Sequence, residues 1–405
     1  MVKTTGPARL AGTTSIPQSL LDTFAAVYPG RTPDVIARAP GRVNLLGGHV
    51  DIHEGLVLNI AIDRDIWLAA ARGDGDRVRL HAANLDTSTA FSLAGVEAHR
   101  TLDGDDLPRW AGYAAGVAWA LQRLGLDVSG IDGVIQGSVL MRAGLSSSAA
   151  VEIAYGRAWQ ALGGWTVNPH DLVLVGQAAE REYMGLGTGV QDQYTVVHAL
   201  QDHALTLDCR TLEHRHNAFT DHAKVVICDT NTRRELVGSS YNTRARDAHD
   251  AAAILREIDP AVKTLRDASM QHLDDARARL TPDQFRRAKH VITEIARVRD
   301  GAAALDAGDS AGLGALMNDS YWSARDDYGS SSPALDAMWQ AASSHPGCHG
   351  ARYSGGGEAG AIVALVDEDA VEEFIAQTAS AYTASSAHVG SLFAVEAAQG
   401  ASVLD

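Results

Sequence analysis

Between residues 143 and 150 the chain reads Ala143-Gly144-Leu145-Ser146-Ser147-Ser148-Ala149-Ala150, a stretch suited to holding phosphate without any cationic side chain of its own. Glycine admits backbone conformations that turn successive N–H groups inward. Three hydroxyls follow. The apolar spacing of Val151, Ala154, Tyr155, Ala158 and Leu162 predicts a helix over about 147–162, whose N-terminus adds the positive end of its dipole. The loop is not of the Walker A type, since no Gly-Lys-Ser/Thr follows it. The same letters also describe a serine-rich helix cap that binds nothing. Further on, two carboxylates, Glu180 and Asp192, stand twelve residues apart. Mg²⁺ takes hard oxygen ligands, usually one or two of them from protein. A hydroxyl attacking a γ-phosphate gains from a carboxylate that orients it or takes its proton. A lone acid on a helix is more commonly a solvated charge, so these two need a context before they carry chemistry.

The elements around them supply part of it. Residues 133–140 read as a strand running straight into the Gly/Ser turn, and Gly163-Gly164 stops the helix beyond it. Asn168-Pro169 opens the next helix with an N-cap and a first-turn proline, and Glu180 follows on it. Upstream, a short helix is expected near 17–28, strands at 35–37, 55–62, 66–71 and 78–80, and a helix over 110–124. A second half opens near residue 221 with the β-branched strand 224–228. Helices dominate from 239 to about 316, then a strand at 360–366 and a helix at 369–382. Strands and helices intermix without a regular βαβ period, which argues α+β and not a doubly wound sheet. The expected division is 1–220 and 221–405.

With 405 residues the chain has room for two such domains, each burying its own core. A net charge of −16 disfavours nucleic acid and anionic membrane as partners, both being polyanions. It also means that any bound triphosphate needs Mg²⁺ or local positive charge. Cys209, Cys228 and Cys348 are scattered with no C-x-x-C spacing, so neither a disulfide framework nor a zinc site is indicated and a reducing cytoplasm is expected. No basic, then apolar leader and no run of 18 apolar residues is visible.

Residues 39–51 read Ala39-Pro40-Gly41-Arg42-Val43-Asn44-Leu45-Leu46-Gly47-Gly48-His49-Val50-Asp51. This stretch resembles the signature that opens the active site of sugar kinases of the galactokinase family, G-R-V-N-L-I-G-E-H-T-D-Y. It departs at the acidic position, Gly48, and at the final Tyr, Ile52 here. The Gly/Ser loop resembles P-x-G-x-G-L-S-S-S-A of the wider family of galactokinase, homoserine kinase, mevalonate kinase and phosphomevalonate kinase (GHMP), with Leu140 for the Pro and Arg142 for the first Gly. Glu180 and Gly189-Val190-Gln191-Asp192-Gln193 fall at the spacing of the galactokinase A-E-H and G-I-M-D-Q segments. Ser240-Tyr241-Asn242-Thr243-Arg244 is similar to S-x-Y-x-x-R, and residues 323–336 to S-L-R-D-D-Y-x-V-S-x-P-E-L-D. Arg352–Gly360 is similar to R-M-T-G-G-G-F-G-G, with Glu358 and Ala359 departing, and Trp110 and Tyr113 to W-x-x-Y.

The resemblance implies a two-domain GHMP fold: an N-terminal domain of ribosomal-S5 type, a ferredoxin-like C-terminal domain, and an active site in the cleft between them. It implies ATP- and Mg²⁺-dependent phosphorylation of a monosaccharide at its anomeric C1 hydroxyl, galactose first, with a monomer as the family default. Asp192 then faces the hydroxyl with Arg42 as its partner, either positioning it or taking its proton. Ser148 and Glu180 hold the metal. Gly144, Leu145, Ser146, Ser147, Ser148, Ala149 and Trp110 bind ATP, while Gly48, His49, Asp51, Gly189 and Tyr241 line the sugar. Tyr113 is expected in the core, and Arg142 either points to solvent or touches a phosphate. Gly48 is expected to open space and remove a charge near the sugar's C6. Either a C6 acid such as galacturonate is then admitted, or Glu54 or a water takes over the contact and galactose remains the substrate. The rivals are a non-catalytic sugar and ATP sensor and a kinase of a non-sugar alcohol.

Overall fold

A computed structural model describes residues 15–141, 143–219, 223–232 and 240–404. Arg142, discussed above, lies outside the described residues. The chain opens with α1 (Gln18–Val27), whose Leu20 and Phe24 pack with Tyr28 on Trp67, Ala69, Ala71 and Val134. Strand β1 (Val35–Leu46) then runs through the whole Arg42 signature, well past the short strand expected at 35–37. It carries Pro40 at a register shift between Pro40 and Gly41, a bulge where a residue without an N–H is tolerated. Its partner β2 (Leu56–Arg72) is one strand where the sequence suggests two, because the exposed Asp63 and the neighbouring Arg64 are skipped by the pairing with β1 as a bulge without ending the strand. A hairpin of β3 (Arg77–Ala82) and β4 (Thr87–Ser92) follows, then α2 (Arg109–Arg123) and β5 (Ile131–Gly137).

Helix α3 (Ser147–Gly163) ends where predicted, at Gly164 with φ +67°. Alanines 149, 150, 154 and 158 are fully buried on it, small enough to let the helix lie close on β1 and β2. Helix α4 (Pro169–Ala178) is capped by the Asn168 side chain, which accepts the Asp171 N–H at 2.8 Å. A π-helical turn, Ala179–Tyr183, extends it before α5 (Gln191–His198), β6 (His203–Asp208) and β7 (His214–Ala218).

The second part contains β8 (Ala223–Asp229), α6 (Ser240–Ile258), α7 (Met270–Asp275), α8 (Pro282–Asp306), α9 (Ser310–Ser323) and α10 (Pro333–Ser343). It continues with β9 (Cys348–Tyr353), β10 (Ala361–Asp367), α11 (Val371–Ser385), β11 (Ser391–Val395) and the closing β12 (Ser402–Leu404). Strands 8 to 11 form a four-stranded antiparallel sheet in the order β11-β8-β10-β9. Numbered within the unit this is 4-1-3-2 with helices between the first and last strand pairs, the ferredoxin-like arrangement. The larger, eight-stranded sheet runs β12-β1-β2-β5-β3-β4, with β6 joined to β2 and β7 to β6. The final strand therefore lies in the first sheet, pairing Ile36 with Leu404 and Arg38 with Ser402. The largest apolar cluster takes residues from both sheets, Val43 and Ile60 of one and Ile227 and Val363 of the other. No described helix is long and apolar enough to cross a membrane.

Candidate active site

The Gly/Ser loop is fixed from both sides. From β1, the Arg42 N–H donates to the Leu145 carbonyl at 3.1 Å and its Nη1 to the Gly144 carbonyl at 2.8 Å. From the glycine-rich segment after β9, the Ser354 hydroxyl donates to the same Gly144 carbonyl at 2.9 Å, and the Ala361 N–H to that of Ala143 at 3.2 Å. Leu145 and Ala149 are buried, so they can offer a ligand only their backbone; the Ser147 and Ser148 side chains are half-exposed at the first turn of α3. Ser146 caps that helix at φ 55°, yet its hydroxyl donates to the Asp192 carboxylate instead of to the helix.

Asp192, in the first turn of α5, is gripped by the Arg42 Nε at 2.8 Å and Nη2 at 2.6 Å. Arg42 is buried while the Asp192 carboxylate keeps 25% of its surface, so the acid is the member left open to a reactant. Glu180, buried in the π-helical turn, bonds the Ser148 hydroxyl and accepts the Gln193 amide at 3.0 Å. The same amide reaches the fully buried Glu152 of α3 at 2.8 Å. Burial pushes the Glu180 pKa up, and the nearby Asp192 charge adds to the rise; Glu152 is driven well above the carboxylate range by burial and by Glu180. Glu152 and Glu180 thus share the Gln193 amide, with Asp192 near enough to raise both, while among the described residues no group of three or more acids, histidines or thiols is placed to hold a metal ion.

The expected sugar residues gather beside Asp192. Asp51 is lifted to about 6 by burial and then by repulsion from Asp192. Gly189 packs so closely on the Asp51 carboxylate that a Cβ there would overlap its oxygen, which is the reason for glycine at that position. His49, at φ 64°, stacks on Tyr328 with centroids 4.3 Å apart and meets the Tyr353 hydroxyl through Nε2 at 3.0 Å. Burial, with the Arg244 and Arg352 charges beside it, holds its pKa well below the usual value, so the ring is neutral. The Tyr241 ring of α6 lies 5.9 Å from that of His49.

Gly48 corrects one expectation. The space is not open: the buried Arg352 guanidinium sits where a Cβ would project, and its Nη1 bonds the Asn44 side chain. Nor is Glu54 a substitute, since it points outward to Arg210 at 2.6 Å. Trp110 is half-buried in the first turn of α2, against the main core. Tyr113 is only half-buried and lies within electrostatic reach of Glu180 and Glu152, not inside the core as expected. The sequence reading also missed His290 and Glu294 of α8, which bond the backbone of Gly47 and Gly48. Their four-residue spacing, on the same buried face as Val291 and Val298, was the available signal.

Three family models match the chain: the galactokinase galactose-binding signature over residues 22–72, the GHMP kinases N terminal domain over 112–199, and the GHMP kinases C terminal over 302–384. A galactokinase from Roseiflexus sp. (strain RS-1) is 38% identical over 371 residues, covering 92% of this chain and 93% of that protein. The chain belongs to the galactokinase family of GHMP kinases. This sugar kinase is also 37% identical to a galactokinase from Chloroflexus aggregans, over 88% of its own length and 90% of the relative's. Its fold matches the crystal structure of Lactococcus lactis galactokinase complexed with galactose at a TM-score of 0.89, with 28% identity and coverage of 95% and 99% of the two chains. A crystal structure of mevalonate kinase, 16% identical, shares the fold at a TM-score of 0.61, covering 89% of this chain and 98% of that one.

Proposed function

We propose that this sugar kinase transfers the γ-phosphoryl group of ATP to the C1 hydroxyl of galactose. The observation that carries the reading is the position of Asp192, open to the cleft and fixed by Arg42 and Ser146 at the mouth of the phosphate loop. A hydroxyl bonded to Asp192 is aimed at that loop, and the proton it gives up on attack passes to the Asp192 oxygen left free by Arg42 or is lost after transfer. Arg42 supplies positive charge beside the transferring group in a water-poor setting. Backbone N–H groups at the start of α3 and the hydroxyls of Ser147 and Ser148 cradle the phosphates.

Ser148 and Glu180 fit Mg²⁺, because a buried carboxylate facing a second acid gains most from a cation. When bound, Mg²⁺ would neutralise the phosphate oxygens as charge moves between them. His49, Asp51, Gly189 and Tyr241 form the sugar side, where Asp51 accepts from sugar hydroxyls. The three free thiols, all raised by burial beyond easy ionisation, support a cytoplasmic protein, which we take as a monomer. The test is ADP release with galactose, galacturonate, arabinose, fucose and N-acetylgalactosamine side by side. Galactose is expected to lead; a leading galacturonate, or no ADP release with any sugar, overturns the reading.

A further inference from the structure

The loop that carries the sugar residues is built in an unusual conformation. Gly47 has φ 97° and His49 φ 64°, so a non-glycine residue is held in the left-handed region in the middle of the binding stretch. Such a conformation is strained for a residue with a Cβ and persists only where its surroundings over-determine it. Here the surroundings are two side chains of α8. The Glu294 Oε1 accepts the N–H of Gly47 at 2.8 Å and of Gly48 at 3.2 Å. One turn earlier, the His290 Nε2 lies 3.1 Å from the Gly48 carbonyl. A carbonyl only accepts, so Nε2 carries the proton, and Nδ1 is left to take the Ser323 hydroxyl at 2.9 Å. Burial keeps that imidazole neutral, lowering its pKa to about 4.

Glu294 is fully buried, which by itself would favour the protonated acid. The Arg297 and Arg352 charges outweigh burial and hold it well below the ordinary range; Arg297 Nε donates at 2.7 Å and the Ser320 hydroxyl at 2.6 Å. The acid is therefore a permanent acceptor. Peptide groups on both sides of Gly48 are gripped at once, immediately before His49 and three residues before Asp51.

We propose that Glu294 and His290 are positioning residues for the sugar, a clamp by which α8 sets the backbone that aims His49 and Asp51. The inference rests on the reading of that loop as the galactose site. Neither side chain reaches the phosphate loop, so loosening the clamp acts on the sugar and spares the nucleotide. The test uses two variants of the full chain, Glu294→Gln, which keeps the shape but drops the charge, and His290→Ala, which frees the carbonyl without stranding a buried charge. Steady-state kinetics with each substrate varied in turn should show KM for galactose raised about tenfold. KM for ATP should stay within twofold and kcat within about threefold. The thermal shift produced by galactose alone should shrink in parallel. If Glu294→Gln does not fold, His290→Ala decides on the same terms. An unmoved KM for galactose, or both KM values and kcat drifting together, overturns the clamp while leaving the galactose reading intact. A parent enzyme that does not turn over galactose removes that reading, and the clamp's purpose with it.

Discussion

Arg42 divides its guanidinium between the Asp192 carboxylate and the Gly144 carbonyl, so one buried side chain registers the acceptor site against the phosphate loop. Asp192→Asn keeps the size of the side chain but loses the charge and the ability to take a proton. We expect kcat to fall about 100- to 10,000-fold with ATP affinity nearly unchanged, the pattern of a group acting in the transition state. Nucleotide titration by calorimetry beside turnover checks this, and a variant retaining most of its turnover would remove Asp192 from the reaction. Asp51 gives a prediction in pH. Its pKa is raised to about 6 by burial and Asp192, so the native state favours its protonated form. The stability that this lends is complete below pH 4 and is lost as pH climbs through 6. Asp51→Asn cannot ionise, and in the absence of ligand it should gain on the parent across that window by about 1–2 kcal/mol, less than the full shift because the group is partly exposed. Urea denaturation from pH 4.5 to 7.5 measures the difference; parallel curves would show that Asp51 ionises freely in the native state.

At the level of elements, the π-helical turn Ala179–Tyr183 decides where Glu180 points. A π turn holds an extra residue and often marks a functional site, and here it brings the carboxylate to Ser148 and Gln193. Glu180→Gln should therefore raise the Mg²⁺ concentration for half-maximal turnover by about tenfold, on the scale of a weakened metal site. An unchanged Mg²⁺ titration at fixed ATP would take Glu180 out of the metal's reach. The sequence placed Glu180 on a plain helix, because apolar spacing over one turn cannot reveal an inserted residue. Helices α3 and α4 were legible from the Gly164 stop and the Asn168 cap, which are local signals. Strands such as β4 (TSTAFS) and β7 (HRHNA) were not, since they are short, polar and half-exposed, and their pairing comes from neighbours distant in sequence. The site divides in the same way. Arg42, Ser148, Glu180 and Asp192 sit in short motifs that letters alone display. The roles of Glu294, His290 and Arg352 depend on approach in space, across more than 240 residues for Glu294 and Gly48.

Over the whole molecule the chain leaves the first sheet after β7, builds the ferredoxin-like unit, and returns to close the first sheet with β12. That return is more than a loose tail. The buried Arg38 reaches the Asp65 carboxylate at 2.8 Å and the Gln399 carbonyl at 2.9 Å, while the Ala401 N–H donates to the Val196 carbonyl at 2.8 Å. Deleting residues 401–405 would strip β12 from the edge of β1, free that end of the Arg38 network, and uncover the buried Ala401 site. None of the catalytic groups proposed above is touched. We expect a loss of about 2 kcal/mol, read as a fall of about 2–5 °C in Tm, with kcat at 25 °C within twofold of the parent. Because one apolar cluster draws on both sheets, the melt should stay a single transition in the parent and in the truncated chain. Calorimetry decides both points: an unmoved Tm would make β12 dispensable, and two resolved transitions would show that the sheets unfold independently despite their shared core.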